Sequence, residues 1–323
     1  MQTRSLGALV VAIIAFAAAA PGSRAAEEYP NRPIQLICPY GAGGLTDLVA
    51  RMVGDKMGKI LGNSIQVINK PGAGTSIGES FVASSKPDGY TLLINMTGGH
   101  IVTPMIIPNL PYKMTDLKPI GKMVTADYMV LVGREVPVNT LSELVAYAKK
   151  AGKFAFASPG VGTVNHLALE ELNVRNGLGM QHIPYNSELQ VITALLGNHV
   201  QAGAVTVPFS LKYVKSNQVK GVAVLANQRD PLLPDIGTSA EQGYPDLIAS
   251  IYNMLFVPAK TPAALVKQLE DALQKTLKDK EVSDGLKKLE LRVDYLNSAD
   301  TEAFIDTEVR KWAGVVDKAN IKK

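Results

Sequence analysis

Eight short β-rich runs, "PIQLIC", "SIQVIN", "YTLLIN", "YMVLVG", "KFAFAS", "QHIPY", "VQAGAV" and "VKGVAVL", alternate along the chain with segments of helical periodicity or turn chemistry. The alternation places the fold in the α/β class, because each apolar strand face has to be covered by a helix or another strand. After the first run, Leu45, Leu48, Val49, Met52, Val53, Met57, Ile60 and Leu61 recur at three and four residues, with Asp47, Arg51, Asp55 and Lys59 opposite. One helix packed on a sheet is expected there. Towards the C-terminus, Thr261 as a cap and Pro262 in the first turn introduce an amphipathic helix running to about Lys278. A further helix is expected over 300–318, where Phe304, Ile305, Val309, Trp312 and Val316 form an apolar stripe of the kind that belongs to a core.

Residues 1–25 read as a secretory signal: Arg4 supplies a positive start, Leu6 to Ala20 an apolar run, and Ser23-Arg24-Ala25 small residues at the positions a signal peptidase reads. The run is shorter than the roughly 20 residues of a spanning helix, so cleavage after Ala25 and a periplasmic protein are expected. The remaining 298 residues suit two domains. No low-complexity linker separates them. The chain is therefore expected to cross between two lobes along extended apolar sequence near 119–128 and 250–256, with 26–124 and 254–323 forming the first lobe and 125–253 the second.

Without Arg4 and Arg24, 31 basic residues stand against 29 acidic ones, a net charge of about +2. Charges are dispersed and aromatics sparse, which argues against a nucleic-acid surface. A single cysteine excludes a disulfide framework, and Cys38, at the end of an apolar run, is expected to be a small buried hydrophobe. The four histidines show no metal-ligand spacing, so neither a metal nor a cofactor is expected.

Two glycine-rich junctions align without a gap: "CPYGAGGLTDLVAR" from Cys38 and "ASPGVGTVNHLALE" from Ala157. Gly41 then faces Gly160, Gly43 faces Gly162 and Leu48 faces Leu167, each set following a β-run and opening a helix. With one junction in each proposed lobe, the two helix N-termini could present N–H groups and positive dipole ends to one ligand across a cleft. Glycine allows close backbone approach there, so a Cβ at Gly43 or Gly162 is expected to block the ligand. A phosphate loop needs Gly-Lys-Ser/Thr where Gly44-Leu45-Thr46 stands, and a dinucleotide fingerprint needs glycine where Thr46 stands. Gly74-Thr75-Ser76-Ile77-Gly78 satisfies the nucleophile-elbow pattern, which keeps a secreted α/β hydrolase using Ser76 as the alternative, although Pro71-Gly72-Ala73-Gly74 separates that serine from its strand. A non-catalytic module with an empty cleft is a second alternative.

"YPNRPIQLICPYGAGGLTDLVAR", "VINKPGAGTSIG", "KPDGYTLL", "FASPGVGTVNHLALE", "IPYN", "LLPDIGTSAEQGYP" and "VPAKTPAALVKQL", in this order from Tyr29 onward, together resemble the extracytoplasmic solute receptors of the tripartite tricarboxylate transporter family, the Bug receptors. The resemblance implies an α/β, two-lobed periplasmic-binding-protein-like fold with a ligand cleft between the lobes and no enzymatic activity. It also implies a monomer that traps a small organic carboxylate through backbone N–H groups, hydroxyls and water for membrane transporter subunits or a sensor. Carried over by position, the ligand contacts in the first lobe are Tyr40, Gly41, Gly43, Gly44, Thr46, Thr97 and Gly98. In the second lobe they are Ser158, Gly160, Gly162, Thr163, His166, Tyr185 and Thr206. Asp47 is expected to cap the helix or hold the loop, because a carboxylate repels an anionic ligand. The chain departs from the family pattern at Pro184-Tyr185-Asn186-Ser187 and Ala204-Val205-Thr206, where relatives carry a lysine and an aspartate. Ligands with an amino group are disfavoured by that loss.

Overall fold

The computed structural model describes residues 29–321; the signal reading over 1–25 lies outside them. The first lobe is built on β1 (Ile34–Cys38), which pairs in parallel with β2 (Ile65–Asn69) and β3 (Thr91–Met96). The second is built on β5 (Ala155–Ser158), parallel to β6 (Gln181–Pro184) and β7 (Ala202–Thr206). Two long strands join the lobes. β4 (Leu117–Gly133), nearly all of it buried, gives its first half to β10 (Arg292–Leu296) and its second half to β7 and β8 (Val219–Val224). β9 (Ser250–Pro258) lies antiparallel to both β3 and β4. The extended segments at 119–128 and 250–256 thus bond to each other, with Pro119 opposite Phe256 and Asp127 opposite Ser250.

Helices cover both faces. On one face of the first lobe, α1 (Leu45–Leu61), α8 (Ala263–Lys278) and α9 (Lys280–Lys288) pack Val49, Val53, Met57, Leu269, Leu273 and Leu286 against Leu36, Leu92 and Leu255. On the other lie α2 (Ser76–Ala83), the short α3 (Thr103–Ile106) and α10 (Ser298–Lys318). The second lobe carries α4 (Leu141–Lys150), α5 (Val164–Asn176), α6 (Glu188–Leu196) and α7 (Val207–Lys215). One core spans the join: Trp312, Val315 and Val316 of α10 belong to the same buried cluster as Phe256 of the first lobe and Phe156 and Leu167 of the second. Trp312 is fully buried, with its indole N–H donating to Glu308 at 2.9 Å.

Two sequence expectations are corrected here. Leu48 is 41% exposed, whereas Asp47 is buried, because the first turn of α1 meets its own entry loop rather than the sheet. Pro262, not Thr261, stands at the N-cap of α8; the Thr261 hydroxyl instead donates to the Pro258 carbonyl at 2.7 Å. Strand β10 and helix α9 have no counterpart in the sequence reading. Cys38 is fully buried, and desolvation raises its thiol pKa.

Candidate functional site

A cavity of about 380 Å³ lies where the two lobes meet. None of its wall residues is charged. The second-lobe wall begins where β5 ends. Pro159 to Thr163 turn the chain into α5, and Thr163 caps that helix by accepting from the His166 N–H at 3.3 Å while donating to the Gly160 carbonyl at 2.9 Å. The N–H groups of Val164 and Asn165 have no acceptor among the described residues, as is usual for a helix's first turn. Both residues line the cavity, so these donors and the positive end of α5 serve whatever enters.

Opposite stands first-lobe backbone of unusual geometry. Gly98–Val102 form one turn of π-helix after Thr97, and Gly98 and Gly99 carry the leading N–H groups of that turn onto the wall. Beside it, Thr75 holds φ +82, a left-handed conformation that strains a β-branched residue and is found mostly where function requires it. A buried polar chain supports this wall from behind. Tyr40 donates its hydroxyl to Asn95 Oδ1 at 2.7 Å, Asn95 Nδ2 donates to Glu79, and Glu79 Oε2 sits 3.4 Å from His100 Nδ1. Burial pushes the Tyr40 phenol far above its ordinary pKa, so it stays protonated.

Of the residues expected to hold ligand, Tyr40, Thr97, Gly98, Gly160, Gly162 and Thr163 share this wall. The others stand elsewhere. Gly41, Gly43 and Gly44 are exposed at the entry to α1, outside the wall. Thr46 is buried beneath them. The partner of α5 across the cavity is therefore the Gly98–Gly99 turn, with Gly74 and Thr75 beside it, rather than the N-terminus of α1. Asp47 ties the entry loop to α1 and β2. It accepts from the Gly43 N–H at 2.9 Å, from Arg51 at 3.0 Å and from Asn69 at 2.8 Å. The Arg51 hydrogen bond chiefly lowers its pKa to about 2.

Ser158 and His166 form a brace behind the second loop instead of touching the cavity. The Ser158 hydroxyl donates to the Gly160 carbonyl at 2.9 Å and lies 2.7 Å from His182 Nε2. His166 Nδ1 accepts from the Gly162 N–H at 3.0 Å, and its ring stacks on His182 with centroids 3.7 Å apart. Burial, with His166 adding to it, lowers the His182 pKa to about 4, which leaves that ring neutral in ordinary conditions. Tyr185 is half-buried and off the wall, with its backbone N–H tied to the Ser158 carbonyl at 2.8 Å. Thr206 is also off the wall: its N–H and hydroxyl both donate to Glu188, at 2.9 and 2.8 Å.

The positions that depart from the family pattern do not line the cavity either, because Val205 is buried in the core and Asn186 is exposed. Ser76 opens α2 with no hydrogen bond to any histidine, so the elbow pattern has no catalytic partner among the described residues.

The sequence reading missed Asn165, Thr75, Gly99, Tyr128 and the apolar Ile106 and Ile107, all on the wall. Asn165 lay in plain view beside Thr163, whereas the approach of α3 to the second lobe had no local signal. Gly162 packs so closely on Ile106 that a Cβ would lie 2.1 Å from Ile106 Cδ1, and a Cβ on Gly98 would come within 3.9 Å of Val164. The lobes touch at the cavity edge.

Two lobes on a shared pair of crossing strands, with an uncharged cavity at their junction, define a solute-binding protein of the periplasmic-binding-protein class. The chain matches the tripartite tricarboxylate transporter family receptor over residues 49–321 and belongs to that family. It is 31% identical to the protein BugT of Bordetella pertussis over 99% of each chain. The structure of the periplasmic binding protein BugD, 32% identical, superposes with a TM-score of 0.75 over 91% of this chain and all of that one. MatC from Rhodopseudomonas palustris, solved with bound malate, is 26% identical with a TM-score of 0.75, covering 89% of this chain and all of its own.

Proposed function

We propose that this receptor traps a small organic carboxylate between its lobes and hands it to the membrane subunits of a transporter or to a sensor. One observation carries the reading: orphan N–H donors from α5 of one lobe and from the Gly98–Gly99 turn of the other face a single cavity without a charged side chain. Hydrogen bonds to a charged acceptor contribute roughly 1.5 to 3 kcal/mol each, so dipoles alone can retain an anion there. The malate bound by MatC supports the choice of ligand.

In this reading 26–124 with 254–323 form the first lobe, 125–253 form the second, and 1–25 are removed on export to the periplasm. The protein acts as a monomer without catalysis. Thermal-shift screening of small metabolites on the purified protein tests the proposal. Mono- or dicarboxylates are expected to stabilise it, and the matching amide to bind at least tenfold more weakly, about 1.4 kcal/mol. A neutral sugar bound as tightly would overturn the carboxylate assignment.

A further inference from the structure

Asn165 is the most constrained polar group on the cavity wall. Its side chain is buried, at 4% exposure, and both Nδ2 hydrogens are spoken for. One goes to Glu188 Oε1 at 3.1 Å and the other to the Ala204 carbonyl at 2.9 Å. Both partners are acceptors, so the amide cannot turn over without setting its oxygen against them. Glu188 is itself fixed, accepting from the Thr206 N–H and hydroxyl. The arrangement leaves Asn165 Oδ1, which has no donor among the described residues, as the amide's uncommitted atom. On the same wall lies Tyr128, cross-strand from Thr206; the Tyr128 hydroxyl also has no partner among the described residues.

A ligand group placed against Asn165 Oδ1 meets a fixed acceptor. A second carboxylate would face Oδ1 with like polarity. A methylene would leave a buried oxygen unsatisfied, which costs about 1 to 3 kcal/mol. An ammonium would have to shed its water against a wall with no charged side chain, the Glu188 carboxylate behind it being already committed to Asn165 and Thr206. A hydroxyl satisfies Asn165 Oδ1 by donating to it.

We propose that Asn165 is a specificity-determining residue that selects hydroxy-carboxylates, the carboxylate resting on the α5 N–H groups and the hydroxyl donating to Asn165 Oδ1. The inference rests on the carboxylate reading above and narrows it.

Calorimetry with four acids of one carbon skeleton tests it: the hydroxy-monocarboxylate, its deoxy counterpart, the corresponding amino acid and the unhydroxylated dicarboxylate. The wild-type protein is expected to bind the hydroxy acid at least tenfold more tightly than each of the other three. Asn165→Leu should bring the hydroxy and deoxy acids within about threefold of each other while carboxylate binding persists. Glu188→Gln keeps an acceptor at Oε1 and should retain the preference. Glu188→Leu removes one of the two acceptors that hold the amide and should narrow the gap to the dicarboxylate, which makes the test independent of whether Asn165→Leu folds. Carboxylate binding with no preference for the hydroxyl, an amino acid bound as tightly, or a preference undiminished in Asn165→Leu would overturn the inference and leave the carboxylate receptor standing. Failure of all four acids to bind would overturn both.

Discussion

Gly43 and Gly162 occupy matching places in the two junctions and both hold positive φ, +79° and +75°, yet a side chain would meet different surroundings at each. A Cβ on Gly43 finds nothing within 4 Å, whereas one on Gly162 runs into Ile106 of the opposite lobe. The left-handed backbone costs a non-glycine residue about 1 kcal/mol or more at either site, but only the second substitution also wedges the lobes apart. Gly162→Val is therefore expected to weaken ligand binding at least tenfold, about 1.4 kcal/mol, and Gly43→Ala to leave affinity within about twofold. Titration of both folded variants against one carboxylate checks the contrast; equal losses would mean that the entry loop of α1 belongs to the site. The sequence showed two equivalent glycine loops because it registers backbone permissiveness. It could not show which of them faces the other lobe.

At the scale of elements, legibility followed local periodicity. Helix α1 and the strand-loop-helix junction at Ser158–Val164 could be read because apolar spacing and glycine punctuation lie within a few residues of one another. Strand β10 could not. Its "RVDYL" is a five-residue alternation with no fully buried position, and its partner Thr125 lies 167 positions from Arg292. The polar chain through Tyr40, Glu79, Asn95 and His100 was hidden for the same reason, since no spacing links its members.

β10 nevertheless carries a tie across the join. Arg292 donates to Asp127 of β4 at 2.7 Å and lies 3.9 Å from Asp230 of the second lobe, while Ser250 of β9 donates to Asp127 at 2.6 Å. Asp127 is buried and Arg292 half-exposed, so Arg292→Met strands a carboxylate that partial solvent access relieves only in part. A loss of about 1 to 3 kcal/mol is expected, below the 3 to 5 of a fully buried pair, read as a lower urea midpoint at unchanged slope. An unchanged midpoint would show that the tie does not stabilise the join.

For the molecule as a whole, contact between Gly162 and Ile106 closes one edge of the cavity, so a trapped ligand touches both lobes only while they are together. Such a ligand shifts the population towards closure by its differential affinity for that state. Small-angle scattering is expected to give a smaller radius of gyration with saturating carboxylate than without it, and an unchanged radius would count against a two-lobe trap. The lobes could be anticipated as a pair from the length of the chain, and their joining along strands from the missing linker. The shared core beneath α10 could not, since Trp312 reads as an ordinary helical stripe until Phe156 and Phe256 are seen in the same cluster.

The pairing of β4 with β9 makes the two connections neighbours in one ladder from Leu117–Pro258 to Asp127–Ser250, with irregular register only at 119–121 and 122–124. Mechanically that is a leaf spring rather than two strings. Flexing or twisting such a ribbon keeps its hydrogen bonds, whereas sliding one strand along the other would break the ladder bond by bond, so the lobes can swing about the strands but cannot shear past each other. A pair of probes set along the strands should therefore hold its distance while a pair set across the cleft reports the opening.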